Sequence, residues 1–287
     1  MWYLSFKFSY YIGQAIDAVK RFSQHRKNYN NIIKYWFLPV KRKSLNEVEQ
    51  KLIQQAEQKG LLITNKTFVS NVIGDTDLDL ILSPIEQNNW LENNMDISND
   101  GYDLYSTIEV KHKIKYRQNF EKLRLVDNYP QLKRILNIYI TKCLPAFKKT
   151  ELSFWSLSCT PSTNFSTYPR YFCLNVNAME VFVLGYERKT KKVFCFMILT
   201  RRFLKNEIEF KRLVDKYKSI EYDDEPRYRA AGSDQYRIDF SNLNEVENFL
   251  ITETKILESI KELNLRLMRK GGTIYSPYHC FDLVKMF

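Results

Sequence analysis

The chain has 287 residues, of which 44% are apolar and 15% aromatic, enough to close a real core and to exclude wholesale disorder. Five widely spaced cysteines (Cys143, Cys159, Cys173, Cys195 and Cys280) form no CxxC pair or Cys/His ladder, which argues against structural zinc and a disulfide framework and for a reducing, cytoplasmic setting. The net charge of +11 is uneven. Residues 1–44 hold nine Lys/Arg against Asp17 alone, a local +8, and the other 243 residues carry only +3.

Such clustering favours a polyanion through counterion release, and Tyr29, Tyr35, Trp36 and Phe37 lie among the cations as candidates for stacking on bases. The N-terminus is aromatic but interrupted by Lys7 and Asp17. It lacks a basic n-region and a small-residue cleavage site, so no signal peptide is expected. No run of 18 apolar residues exists, so no spanning helix and no membrane partner are expected.

In chain order, Ile12, Ile16, Val19 and Phe22 at helical spacing predict a basic amphipathic helix over 10–36. Pro39 and "KRKS" close this extension. Ser44-Leu-Asn-Glu47 has the capping-box form, and the helix behind it stops at Gly60. "LLITNKTFV", "LDLILS" and "STIEVKHKI" then read as three strands, the last two separated by a polar, Asn-rich loop or hairpin. Helices follow from Tyr116 to about Lys149, one of them opened by Pro130, and "LSFWSLSCT" is a fourth strand.

Beyond residue 165 the pattern predicts a strand, a hairpin turning at "ERKTKK", a helix at "NEIEFKRLVDKYK" and a short strand "QYRIDF". One long helix over "NLNEVENFLITETKILESIKELNLRLMRKGG" completes the chain, and "YDDEPRYRAAGSDQYRIDF" reads as a salt-bridged loop.

Asp77, Asp79 and Glu109 sit in segments that otherwise read as buried strand. A buried carboxylate needs a positive partner, so a metal ion or a basic side chain must meet it, unless the strand reading itself fails. The triplet [DE]-x-K occurs six times and carries no weight alone. Only Glu109–Lys111 lies on a predicted strand whose preceding strand carries a carboxylate. Residues i and i+2 of a strand share a face, so Glu109 and Lys111 would point together and Asp79 could join them. Two carboxylates with backbone carbonyls make a hard oxygen site for Mg²⁺ or Mn²⁺, and a lysine beside it serves the attacking water.

With "NEVEQKLIQQAEQKG", "LLITNK", "GDTDLDLIL" and "IEVK" in this order, residues of about 45–160 resemble the PD-(D/E)XK nuclease superfamily, especially its resolvase-like branch. The resemblance implies an α/β restriction-endonuclease-like core, a mixed sheet flanked by helices. It implies that Asp79 and Glu109 bind the metal, that Lys111 is the catalytic lysine and that Glu49 completes the site. Asp77, on the same strand face, competes with Asp79 for the ion.

The expected organisation is a basic helical extension (1–44), a nuclease core (45–165) and an α+β domain of unknown role (166–287). The expected activity is metal-dependent hydrolysis of DNA, RNA not excluded, in a setting such as phage defence, transposition or repair. A homodimer or a larger complex is expected by resemblance only. Lys20, Arg21, Arg26, Lys27, Lys41, Arg42 and Lys43, with Lys113, Lys115 and Arg117, are the candidate phosphate contacts. His112 and His25 are lesser candidates, and His279–Cys280 reads as packing rather than a nucleophile pair.

Two other classes stay open. "GDTDLDLIL" also looks like a nucleotidyltransferase Asp-x-Asp strand, although no Gly-Ser pair precedes it. A non-catalytic nucleic-acid-binding or assembly protein with a nuclease-like fold is the third reading.

Overall fold

A computed structural model describes residues 1–93, 109–201, 207–223 and 228–287. The chain divides into two compact units, Met1–Asp75 with Tyr228–Ser233, and Thr76–Arg227 with Asp234–Phe287. The break therefore falls at 75/76, not at the expected 44/45 and 165/166. Among the described residues no helix is long and apolar enough to cross a membrane.

In the first unit, β1 (Trp2–Ser5) lies between β2 (Tyr10–Gly13) and β3 (Lys34–Phe37) in an antiparallel sheet of order β2-β1-β3. The expected helix over 10–36 shrinks to α1 (Ala18–Asn28), capped by Asp17, whose carboxylate accepts from the Lys20 amide. The helical spacing misled because Ile16 and Val19 are 85% and 76% exposed and bury nothing. Aromatic and β-branched residues take the flanking segments into strands instead.

Leu4 packs on one sheet face with Tyr11, Phe22 and Tyr35. Met1, Ile12, Tyr3 and Tyr10 pack on the other against Ile53 and Ala56 of α2 (Leu45–Gln58). Ser44 makes no capping hydrogen bond, contrary to expectation. Gly60 does end α2: at φ +72° its amide donates to Glu57 O and the Leu61 amide to Ala56 O, closing a Schellman motif.

"LLITNKTFV" is not a strand. Ile63 makes one parallel bridge to Tyr10, and buried Asn65 binds both backbone groups of Ile12 with its side-chain amide. The segment Tyr228–Ser233 returns to this unit through Gly232. There a Cβ would stand 2.5–2.6 Å from the backbone of Val69 and Ser70.

The second unit opens with a 3₁₀ turn, Asp77–Leu80, and α3 (Pro84–Asn93). After it come α4 (Val110–Ile114), α5 (Arg117–Arg124) and α6 (Tyr129–Cys143), the last with Pro130 in its first turn as expected. The strands are β4 (Trp155–Cys159), β5 (Arg170–Val176), β6 (Met179–Tyr186) and β7 (Val193–Leu199). After α7 (Glu207–Lys216), β8 (Glu221–Asp223) and β9 (Tyr236–Phe240) complete a six-stranded sheet of order β4-β5-β6-β7-β9-β8.

Every pairing between these strands is antiparallel. The protein is thus mixed α/β, and the expected mixed sheet does not appear among the described residues of 45–165. Among the described residues of that span β4 is the one strand, because the long β-rich runs lie after residue 169.

The predicted long C-terminal helix is two, α8 (Leu243–Thr252) and α9 (Thr254–Arg269). They break at Glu253, whose buried carboxylate accepts from Arg212 (2.8 Å), Lys216 (2.7 Å) and Tyr217 (2.9 Å). Helices α6 and α9 cover the sheet: Tyr139 stacks on Phe182 at 4.3 Å, and Asn264 donates to Cys143 O. Residues on both faces of β5–β7 are buried, which is why these strands read as near-continuous apolar runs although the sheet is antiparallel.

Candidate nucleic-acid interface

The carboxylates expected to hold a metal have other partners. Thr76-Asp77-Leu78-Asp79 forms a capping box: the Asp79 carboxylate accepts from the Thr76 amide (2.6 Å) and hydroxyl (3.2 Å). It also accepts from the Gln87 side chain (2.7 Å) and from Arg269 of α9 (3.3 Å). Arg269 donates in turn to Gln87 Oε1 at 2.8 Å, so one guanidinium ties the turn and α3 to α9. Burial pushes the Asp79 pKa up. The Thr76 and Gln87 donors and the Arg269 charge outweigh that and hold it below the usual carboxylate value.

Asp77 is exposed. In a 3₁₀ turn residues i and i+2 no longer share a face, so the strand argument that aligned Asp77 with Asp79 fails.

Glu109 precedes α4 and pairs with Lys111 at 2.6 Å, both side chains about two-thirds exposed or more (68% and 73%). Val110–Ile114 is helical where a strand was expected, and residues 106–108 of that expected strand lie outside the described residues. The lysine is satisfied by its own neighbour.

Glu49 belongs to the first unit and the other three to the second. It is buried in α2 and accepts from Gln14 Nε2 at 2.9 Å. Burial raises its pKa, against the opposing pull of the Gln14 hydrogen bond and the N-terminal charge. Among the described residues no group of three or more His, Cys, Asp or Glu could hold a metal ion. The donor set needed for Mg²⁺ or Mn²⁺ is therefore not assembled there.

The basic cluster, by contrast, faces solvent. Lys20, Arg21, Arg26 and Lys27 of α1 are exposed, and Lys41, Arg42 and Lys43 are exposed ahead of α2. Lys7 and Lys34 are exposed as well. Among the described residues none of these nine cations enters a salt bridge, whereas Arg134, Arg170, Arg212, Lys216, Arg237, Arg266 and Arg269 of the second unit all do.

The other expected phosphate contacts are less available. Lys115 donates to Pro277 O (3.1 Å) and lies over the Tyr116 ring, Arg117 pairs with Asp282 (3.4 Å), and Lys113 is half-buried.

Of the four aromatics expected to stack on bases, Tyr29 packs on Phe6 and His25, and Tyr35 packs on Phe22 while donating to Ala18 O. Trp36 and Phe37, on the edge strand β3, are the two left open, at 45% and 67% exposure. His25 is buried between Tyr11 and Tyr29 rather than poised for a phosphate, and burial, then the Arg21 charge, lowers its pKa. His112 is exposed.

A cleft of about 630 Å³ in the second unit is lined by Tyr116, Asn119, Cys159, Arg170, Cys173 and Glu180 among others. Its guanidinium is consumed by Glu180 in a two-pronged ion pair. Burial raises the Cys173 thiol, and the contact with Cys280 followed by burial raises Cys159, so both remain protonated and poorly nucleophilic.

His279 is buried, with Nδ1 accepting from the Leu157 amide (3.1 Å) and Nε2 2.9 Å from Glu151 Oε1. The amide contact leaves the proton on Nε2, which donates to Glu151, and neither nitrogen is free to activate Cys280. The packing reading of His279–Cys280 holds, with a partner acid that sequence spacing did not locate.

No family model, no curated protein and no solved structure matches this chain.

Proposed function

We propose that the protein is a non-catalytic nucleic-acid-binding protein whose first unit grips the phosphate backbone. The observation that carries this reading is the set of nine exposed, unbridged cations within residues 1–44, against one acid. Exposed cations with no intramolecular carboxylate partner keep their full attraction for phosphates, and each phosphate neutralised releases a counterion. The second unit supplies an antiparallel sheet, and several of its cations are paired with carboxylates of the same unit.

The test is anisotropy of a labelled oligonucleotide between about 50 and 200 mM salt. With four contacted phosphates, log K should fall against log salt with a slope of about −3.6 on duplex and about −2.8 on single strands. Lys20→Glu, Arg26→Glu and Lys27→Glu together should weaken binding at least tenfold and flatten the slope. A flat slope, or no binding at 50 mM salt, would remove the proposal.

The metal-dependent phosphodiesterase is tested on the same preparation. Cutting of supercoiled plasmid that requires Mg²⁺ or Mn²⁺, and that is lost in Glu109→Ala and Lys111→Ala, would replace the binding reading with a hydrolytic one.

A further inference from the structure

We infer that the cleft between the three-stranded sheet and α2 is a subsite for an unpaired nucleobase, so that the first unit's ligand is single-stranded nucleic acid; this rests on the binding reading above. The cleft measures about 400 Å³, at the small end of the range of ligand pockets. One wall is the sheet. Trp36, Tyr3 and Ile12 stand directly opposite one another across β3, β1 and β2, on one face, and Tyr10 lies on that face two residues from Ile12. The other wall is a single stripe of α2, Leu52, Gln55 and Ala56, continued by Lys59 just past the helix end, at the i, i+3, i+4, i+7 spacing of one helix face.

The chemistry of this lining selects the occupant. Three aromatic rings on a β-sheet face are what bases stack on, since every base has a π-face. Aliphatic groups on the floor exclude water without demanding hydrogen bonds. Among the described residues no carboxylate lines the cleft and Lys59 is its one charged group, placed to meet a phosphate, while the Gln55 amide can read a base edge. The same unit carries the unbridged cations, so charge and stacking surface belong to one body. A base inside a duplex cannot reach such a wall, whereas an unpaired one can.

The experiment compares a pyrimidine decamer with the same sequence annealed to its complement, at one salt concentration, using wild type, Trp36→Ala, Trp36→Phe and Lys59→Glu. The single strand should bind more tightly than the duplex. Trp36→Ala should lose about 5- to 150-fold on the single strand, the range for one stacked base, with little change on the duplex. Trp36→Phe should recover part of that loss, and the salt slope should survive in both Trp36 variants.

Lys59→Glu, at an exposed rim position, should also weaken the single strand and does not endanger the core. A retained salt slope with no effect of Trp36 or Lys59 and no preference for single strands overturns the subsite, leaves the binding reading standing and returns the cleft to a protein partner. Failure to bind either strand form takes both readings down.

Discussion

Glu49, Asp79 and Glu109 look alike in the sequence, yet each meets a different environment. Asp79 is bound by a cap, an amide and a guanidinium, so its charge is needed where it stands. Asp79→Asn should cost about 1–3 kcal/mol, because it weakens the cap and leaves Arg269 without its counter-charge; the urea midpoint measures it. The folded pKa of Asp79 is depressed, so its contribution is complete above the unfolded carboxylate range. It is lost as pH falls through the lower folded value, and the gap between wild type and variant should close between about pH 5 and pH 2.

Glu49 has the opposite sign: burial raises its folded pKa, so ionising it costs stability as pH rises through that value. Glu49→Gln should therefore be as stable as wild type at pH 7 or slightly more so, with unchanged nucleic-acid binding. A loss of activity with unchanged stability would instead point to a catalytic carboxylate. The Asp79 role was legible, since Thr76-Asp77-Leu78-Asp79 has the [ST]-x-x-[DE] capping form, but its apolar neighbours invited a strand. Arg269, 190 residues away, was not legible, because no local pattern marks a long-range ion pair.

At the scale of elements, segments with a dense apolar code were readable. β4, β5, β6, β7 and β9, the Pro130 helix and the turn at "ERKTKK" all form where the pattern put them. Segments that leave many of their apolar residues exposed failed. Residues 10–36 and 61–69 carry spacing that fits a helix or a strand, but their backbone partners are chosen by the fold: Asn65 serves β2 as a surrogate strand. The C-terminal helix broke where Glu253 turns inward to three donors, a tertiary demand that overrides helix propensity.

Two glycines separate local strain from close approach. Gly60→Ala should cost about 1–2 kcal/mol, since the left-handed backbone is the only penalty and nothing lies within 4 Å of the new Cβ. Gly232→Ala adds a collision with the Val69–Ser70 backbone and should exceed about 3 kcal/mol, read as a larger fall in thermal midpoint.

Over the whole molecule, burial and charge are unevenly shared. The second unit holds a sheet buried on both faces, and its outer strand β8 carries Glu221 and Asp223, charges that discourage pairing with a second chain. The first unit has a small core and many exposed apolar side chains. Amide hydrogen exchange should therefore be slowest in β5, β6, β7 and α9, with β1–β3 opening at lower free energy; equal protection throughout would contradict this.

Composition and charge placement were determined by the chain alone. A cation-rich N-terminal region, core cysteines in apolar runs and a β-rich second half all follow from residue chemistry and local periodicity, which need no long-range partner. Tertiary structure alone decided which carboxylates would be neutralised, which aromatics would stay open and where the chain would divide. Those outcomes depend on contacts between residues far apart in sequence, as when Arg269 claims Asp79 and the sheet register sets Trp36 beside Tyr3.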